Sequence, residues 1–423
     1  MITDNQKCDK NYQKQEMVTP GYGEKAQPVA CNDDGLHSLV NEEITLPAAV
    51  IKASSLQNNI DWMKDFALQH GVKLCPHGKT TMTPDFFSQQ LNNGAWGITV
   101  ATQAQAEIAV AAGAKNVIMA NQLVGKANMA VIVSLLQNND VNFYCCVDST
   151  RNVLALEAFF SEHEQQLNVL IEFGVEGGRC GCRSQQQVAE LAQLIHQQSH
   201  LSLRGIEVYE GVIHGDNAEQ DIRDFLGQTL HLTKQLQQDF LIDGRPLVTG
   251  AGSAWYDVVS ECFSHLKEFD AVIRPGCYVI HDTGIYLDAQ NKVMQRAQAN
   301  QGMACELGGD LESALEVWAY VISRPEPTKL VAGIGKRDVA FDAGLPIPER
   351  AYRDGQAISV SGAVTTAVMD QHAFIEVDAS SKLDVGDVIA FSTSHPCLTF
   401  DKWRAIAVCD DEFNVTHWVN TRF

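Results

Sequence analysis

The chain has 423 residues, enough for two domains or for one large barrel with an appendage. Hydrophobic residues make up 45% and charged residues 20%, an ordinary globular balance that excludes a mainly disordered chain. With 52 acidic against 31 basic residues the formal charge is −21, which argues against nucleic acid and anionic membrane surfaces as partners. An anionic ligand must then be held by local donors, because the global field repels it.

Residues 1–44 are polar and punctuated by Pro20, Gly21 and Gly23, which predicts an arm packed on another part of the chain, the β domain described below. From about residue 45 short apolar runs alternate with amphipathic stretches. The runs are 48–51, 72–75, 97–100, 117–120, 143–147, 169–173, 206–209 and 246–249. Between them, 103–112 and 185–197 carry apolar residues at helical spacing. Eight strand candidates with intervening helices predict an α/β fold, a (β/α)8 barrel of the TIM type over 45–290. After about residue 290 the pattern changes to alternating strands such as 317–322 and 388–391, separated by Arg324-Pro325, Gly344-Leu345-Pro346 and Val385-Gly386-Asp387. This predicts an antiparallel β domain over 291–423.

The twelve cysteines include no CxxC pair, and several, such as Cys145 and Cys146, sit inside apolar runs as free buried thiols do. The N-terminus lacks an apolar signal core, and no apolar run is long enough to span a bilayer. The expectation is a reduced, cytoplasmic protein.

Barrel chemistry sits where strands end and loops begin. Four such segments carry reactive residue types. Pro76-His77-Gly78-Lys79-Thr80-Thr81 follows the run at 72–75 and points a lysine into the barrel mouth as nucleophile or base. By itself the segment is more often a surface lysine in a loop. Thr249-Gly250-Ala251-Gly252-Ser253 offers backbone N–H groups and hydroxyls to an anion, though it is a tight turn about as often. Arg274-Pro275-Gly276-Cys277-Tyr278 can hold a ring or a phosphate, or simply lead into the next domain. His395-Pro396-Cys397 places imidazole and thiol on one side of an extended chain, a pair suited to zinc or another divalent metal but too small for a closed structural site.

Together and in this order, the four segments resemble the D-serine dehydratase and D-threonine aldolase family, fold-type III pyridoxal-phosphate enzymes of the alanine-racemase type. The resemblance runs from about Leu46 to near the C-terminus. It implies that Lys79, beside His77, holds the cofactor covalently. It implies that Arg179, in Arg179-Cys180-Gly181, meets the phenolic oxygen and that Tyr209, in Tyr209-Glu210-Gly211, lines the ring. Thr249, Gly252, Ser253, Gly276, Cys277 and Tyr278 fall where the phosphate is held, and His395 and Cys397 where the metal is held. The family usually has His where Thr81 stands and Glu-Val-Asp where Glu172-Phe173-Gly174 stands. The His-x-Cys pair resembles the dehydratases of the family, and His-x-Asp its aldolases. The resemblance therefore implies a deaminating lyase acting on D-serine or a related 3-hydroxy-D-amino acid. The alternatives are a D-threonine aldolase and, ranked lower, a non-catalytic pyridoxal-phosphate-binding protein. It also implies a homodimer, with one β domain over the other subunit's barrel mouth.

Overall fold

The computed structural model describes residues 19–20, 24–31, 35–264, 266–300 and 302–423. The remaining positions of the N-terminal arm, Gly21 and Gly23 among them, lie outside the described residues.

Eight parallel strands form the first sheet: β1 (Lys73–Leu74), β2 (Ile98–Val100), β3 (Asn116–Gln122), β4 (Asn142–Val147), β5 (Leu167–Phe173), β6 (Leu201–Val208), β7 (Leu247–Gly250) and β8 (Asp270–Ile273). Their spatial order is β1-β8-β7-β6-β5-β4-β3-β2. The N–H groups of Trp96 and Thr99 donate to the carbonyls of Leu74 and Pro76 at 2.7 and 2.8 Å and close the sheet between β1 and β2. Helices connect most consecutive strands, as right-handed parallel pairing requires. Gln103–Ala111 starts at Thr102 and Gln185–His196 at Ser184, each cap hydroxyl accepting a backbone N–H from the first turn.

Seven of the eight expected runs are barrel strands; the run at 48–51 is not. Ala48–Lys52 pairs antiparallel with Leu315–Glu326 and parallel with Ala405–Cys409, so it lies inside the β domain. An apolar run followed by the amphipathic helix Ala53–His70 looks locally like a βα unit. The eighth barrel strand is instead Asp270–Ile273, whose short apolar stretch ends at Arg274-Pro275.

The second sheet is built around Leu315–Glu326, which pairs with Ala48–Lys52, Lys329–Ala332 and Val388–Ser392. Its pairings are antiparallel apart from that of Ala48–Lys52 with Ala405–Cys409. The arm packs here. His37–Ser38 pairs with Asn414 and Val415, Lys25 bonds Asp338 at 2.5 Å, and the same ammonium lies over the Trp403 ring. Among the described residues every cysteine is unpaired, and no helix is long and apolar enough to cross a membrane.

Side chains alternate in and out along each barrel strand. Cys75, Ile118, Tyr144, Leu170, Leu247 and Val272 form an apolar plug inside the barrel. Two residues further toward each strand's C-terminal end, the same faces carry His77, Ala120, Cys146, Glu172, Thr249 and Arg274. The upper layer is therefore polar and charged, and it forms the floor of the barrel mouth.

Candidate active site

The loops above this floor bring the distant segments together. Lys79 and His77 follow β1, Arg179 follows β5 and Tyr209 follows β6. Gly252 and Ser253 follow β7, and Gly276 and Cys277 follow β8. His395 and Cys397 come from the β domain, at the start of the short helix Pro396–Phe400. All of these residues line one cavity of about 340 Å³. That volume suits a small organic ligand.

Two expected residues stand elsewhere. Tyr278 is buried beneath the neighbouring helices, where its hydroxyl accepts a hydrogen bond from Gln90 at 2.8 Å. It follows Cys277 in a single helical turn, so its side chain leaves in another direction. Thr249 lies in the buried floor rather than on the cavity wall.

The anion-holding geometry is more specific than glycine content alone. The N–H groups of Gly276 and Cys277 both point at the Ser253 hydroxyl, at 3.3 and 3.2 Å. A Cβ on Gly276 would stand 2.8 Å from the His77 carbonyl oxygen and from the Thr80 hydroxyl, so only glycine fits between these loops. Ala251 has φ +73°, a left-handed conformation costly for a residue with a Cβ. The buried carboxylate of Glu210 holds it there, accepting the N–H groups of Ala251 and Gly252 at 3.0 and 2.7 Å. Burial pushes that carboxyl above its ordinary range.

The floor beneath is charged. Arg274 forms a buried ion pair with Glu207 and donates to the Val208 carbonyl at 2.9 Å. Glu172 accepts a hydrogen bond from Gln122 at 2.6 Å, and burial together with the nearby Glu207 charge pushes its carboxyl up to about 7. Cys146, Glu172 and Glu207 are, among the described residues, the one group of three metal-type ligands within 4.8 Å of one another. The Arg274 guanidinium is already the cation paired with Glu207 there.

At the cavity's other side, His395 Nδ1 bonds Asp342 Oδ2 at 2.8 Å. A carboxylate on one ring nitrogen fixes the tautomer and leaves the other for a metal. The hydrogen bond with Cys277, then those with His395 and Thr80, hold the Cys397 thiol well below its ordinary range against the opposing effect of burial. The hydrogen bond to Cys397, then that to Asp342, raises His395 to about 9 against the opposing effect of burial.

Several buried polar atoms beside this cavity lack a protein partner: His77 Nδ1, Thr249 Oγ1, Arg274 Nε and Glu207 Oε2. Native interiors pair nearly all such atoms, so these mark the surroundings of a polar ligand. With the nearby lysine, the anion-holding turns and the imidazole–thiol pair, the residues fit a phosphorylated aldehyde cofactor and a divalent ion.

Sequence reading missed Asn121, Tyr286 and Asp342. Asn121 lies near the C-terminal end of β3 and was open to the strand-end rule. Tyr286 lines the cavity from the helix Ile285–Asn300, and Asp342 reaches His395 from a loop. Neither has a local signal, because each is brought in by the packing of segments far apart in sequence.

The family model of the alanine racemase N-terminal domain matches residues 51–282, and that of a serine dehydratase domain matches 314–409. The chain belongs to the alanine racemase N-terminal domain family. The chain is 25% identical to a D-threonine aldolase of Arthrobacter sp over 371 residues, 87% of this chain and 90% of the relative. It is 24% identical to the D-threo-3-hydroxyaspartate dehydratase of Delftia sp. (strain HT23) over 389 residues, 88% of this chain and 96% of the relative. The crystal structure of D-threonine aldolase from Filomicrobium marinum superposes with a TM-score of 0.75 at 21% identity, covering 91% of this chain and 97% of that one. These relatives are lyases of the fold-type III, pyridoxal-phosphate-dependent kind, and this alanine racemase family member is an enzyme of the same group.

Proposed function

We propose that the protein is a pyridoxal-phosphate- and metal-dependent dehydratase acting on D-serine or a related 3-hydroxy-D-amino acid, releasing a 2-keto acid and ammonia. The observation that carries this reading is that the Lys79 loop and the His395–Cys397 pair face one cavity. When bound, the cofactor supplies an electron sink that acidifies the substrate's Cα proton, and the ion supplies a Lewis acid for the Cβ hydroxyl. Lys79 would hold the cofactor through its amine, and the same amine would be the base at the Cα proton. The Ser253 hydroxyl and the Gly276 and Cys277 N–H groups hold the phosphate. Arg179, supported by the Tyr209 ring, would meet the cofactor's phenolic oxygen, and His395 and Cys397 would hold the ion. The closed floor keeps water from below.

An aldolase is the second reading, favoured by the relatives named D-threonine aldolase and 3-hydroxy-D-aspartate aldolase. It would use the same groups to break Cα–Cβ. The Cys397 thiol, where the resemblance gives the aldolases Asp, favours dehydration. Product analysis on the cofactor- and metal-loaded protein decides. The 2-keto acid plus ammonia from D-serine or 3-hydroxy-D-aspartate supports dehydration, and glycine plus an aldehyde supports the aldolase. If His395→Ala leaves turnover and metal content unchanged, the metal-dependent reading fails.

The proposal includes a homodimer in the cytoplasm. The chain's own β domain supplies His395 and Cys397 to its own barrel mouth, so a dimer is not needed to bring those two in. A monomer at micromolar concentration in light scattering overturns that part.

A further inference from the structure

A single helical turn, Glu210–Val212, follows β6, and its first residue is fully buried. Ala251, Gly252 and Ser253 line the cavity, whereas Glu210 stands behind them and off the cavity wall. One oxygen of its carboxylate accepts the Ala251 N–H at 3.0 Å, and the other accepts the Gly252 N–H at 2.7 Å. Successive N–H groups beside a left-handed residue form a cup for an anion, and here the protein's own carboxylate fills that cup. A Cβ on Gly252 would stand 3.1 Å from the Tyr209 ring and 3.6 Å from a Glu210 oxygen, so the turn rests against both side chains.

This arrangement divides the donors of the turn. Glu210 takes the Ala251 and Gly252 N–H groups. The Ser253 hydroxyl oxygen, next in the chain, accepts the Gly276 and Cys277 N–H groups at 3.3 and 3.2 Å, which leaves its own proton to donate. Without a double acceptor, Ala251 has nothing to offset its left-handed backbone and both N–H groups lose a charged partner. The turn then relaxes, and Ser253 moves off the Gly276–Cys277 pair. We propose that Glu210 is the positioning residue for the cofactor's phosphate. By holding Ala251 left-handed it sets Ser253 against Gly276 and Cys277, and so it makes the site select pyridoxal phosphate over unphosphorylated pyridoxal. The inference deepens the reading given above and rests on it, since that reading has this turn hold the phosphate. Glu210 acts through the backbone, from behind the cavity wall.

The test titrates the full-length, cofactor-free protein with pyridoxal phosphate and, separately, with pyridoxal, following the absorbance each aldehyde gains on binding. Pyridoxal lacks the phosphate, so it reports the lysine and ring contacts alone. The unaltered protein is expected to bind the phosphate ester more tightly. In Glu210→Gln one of the two acceptor oxygens becomes an NH2 that faces an N–H, so affinity for pyridoxal phosphate is expected to fall at least about tenfold while affinity for pyridoxal stays unchanged. Adding Ala251→Gly to Glu210→Gln is expected to restore at least about threefold, because glycine takes a positive φ without steric cost. The double variant carries the same comparison where the single one does not fold. An equal loss for both ligands makes Glu210 a general structural residue and overturns the proposal. An unchanged preference for the phosphate ester overturns it too, as does a loss that Ala251→Gly does not ease. An unaltered protein with no preference for the phosphate ester overturns the phosphate-holding role of the turn, and the proposal with it.

Discussion

The guanidinium of Arg179 lies over the ring of Tyr209, its central carbon 4.5 Å from the ring centroid. The contact joins the loop after β5 to the end of β6, and a Cβ on Gly211 would stand 2.5 Å from the Tyr209 hydroxyl oxygen. The tyrosine thus serves as a platform that aims an otherwise exposed arginine into the cavity. A contact of this kind contributes about 0.5–2 kcal/mol. Tyr209→Ala should therefore weaken cofactor binding about tenfold in an absorbance titration. Tyr209→Phe keeps the ring and should bind the cofactor much more tightly than Tyr209→Ala. Equal losses in both would show that the hydroxyl, not the platform, matters.

Asp342 touches only the far nitrogen of His395, at 2.8 Å. Partners of this kind typically set metal affinity by about 10–100-fold. Asp342→Ala should lower zinc affinity by that range while the cofactor absorbance stays unchanged. Unchanged zinc affinity would show that the carboxylate is a surface contact and nothing more.

Tyr278 is held by Gln90 away from the cavity. Tyr278→Phe should leave the kinetic constants within about twofold and lower stability by about 0.5–1.5 kcal/mol, the contribution of one hydrogen bond. Urea unfolding and steady-state kinetics check both. A large loss of cofactor affinity would return Tyr278 to the site.

Glu172 has a carboxyl pushed from 4.5 up to about 7 by burial and by Glu207. A carboxyl whose folded value lies above its unfolded one binds its proton more tightly in the folded state. Its contribution is therefore most favourable below about 4.5 and is lost as pH rises to about 7. Glu172→Gln should remove that slope, on the order of 1–3 kcal/mol across the window, in urea midpoints measured on the cofactor-free protein. A slope that persists in the variant would assign it to another group.

The parts of the site legible in the sequence are those carried by strand ends. Lys79, Gly252 and Ser253 lie just beyond short apolar runs, and His395 and Cys397 follow another such run. Ala48–Lys52 was misread because pairing partners more than 260 residues away, not its own composition, put it in the β domain. Asp270–Ile273 was missed because four residues ending in Arg274-Pro275 look like a turn. Asp342, Tyr286 and the role of Glu210 in holding Ala251 depend on contacts across loops or domains, which no local pattern records.

The bond between Lys79 and the cofactor is the claim on which the rest stands, and borohydride reduction followed by peptide mass analysis tests it most directly. Reduction fixes the cofactor on the lysine that holds it. The account predicts the added pyridoxyl mass on the peptide containing Lys79 and its absence in a folded Lys79→Ala protein. The same mass on a different lysine, or on none, would contradict it.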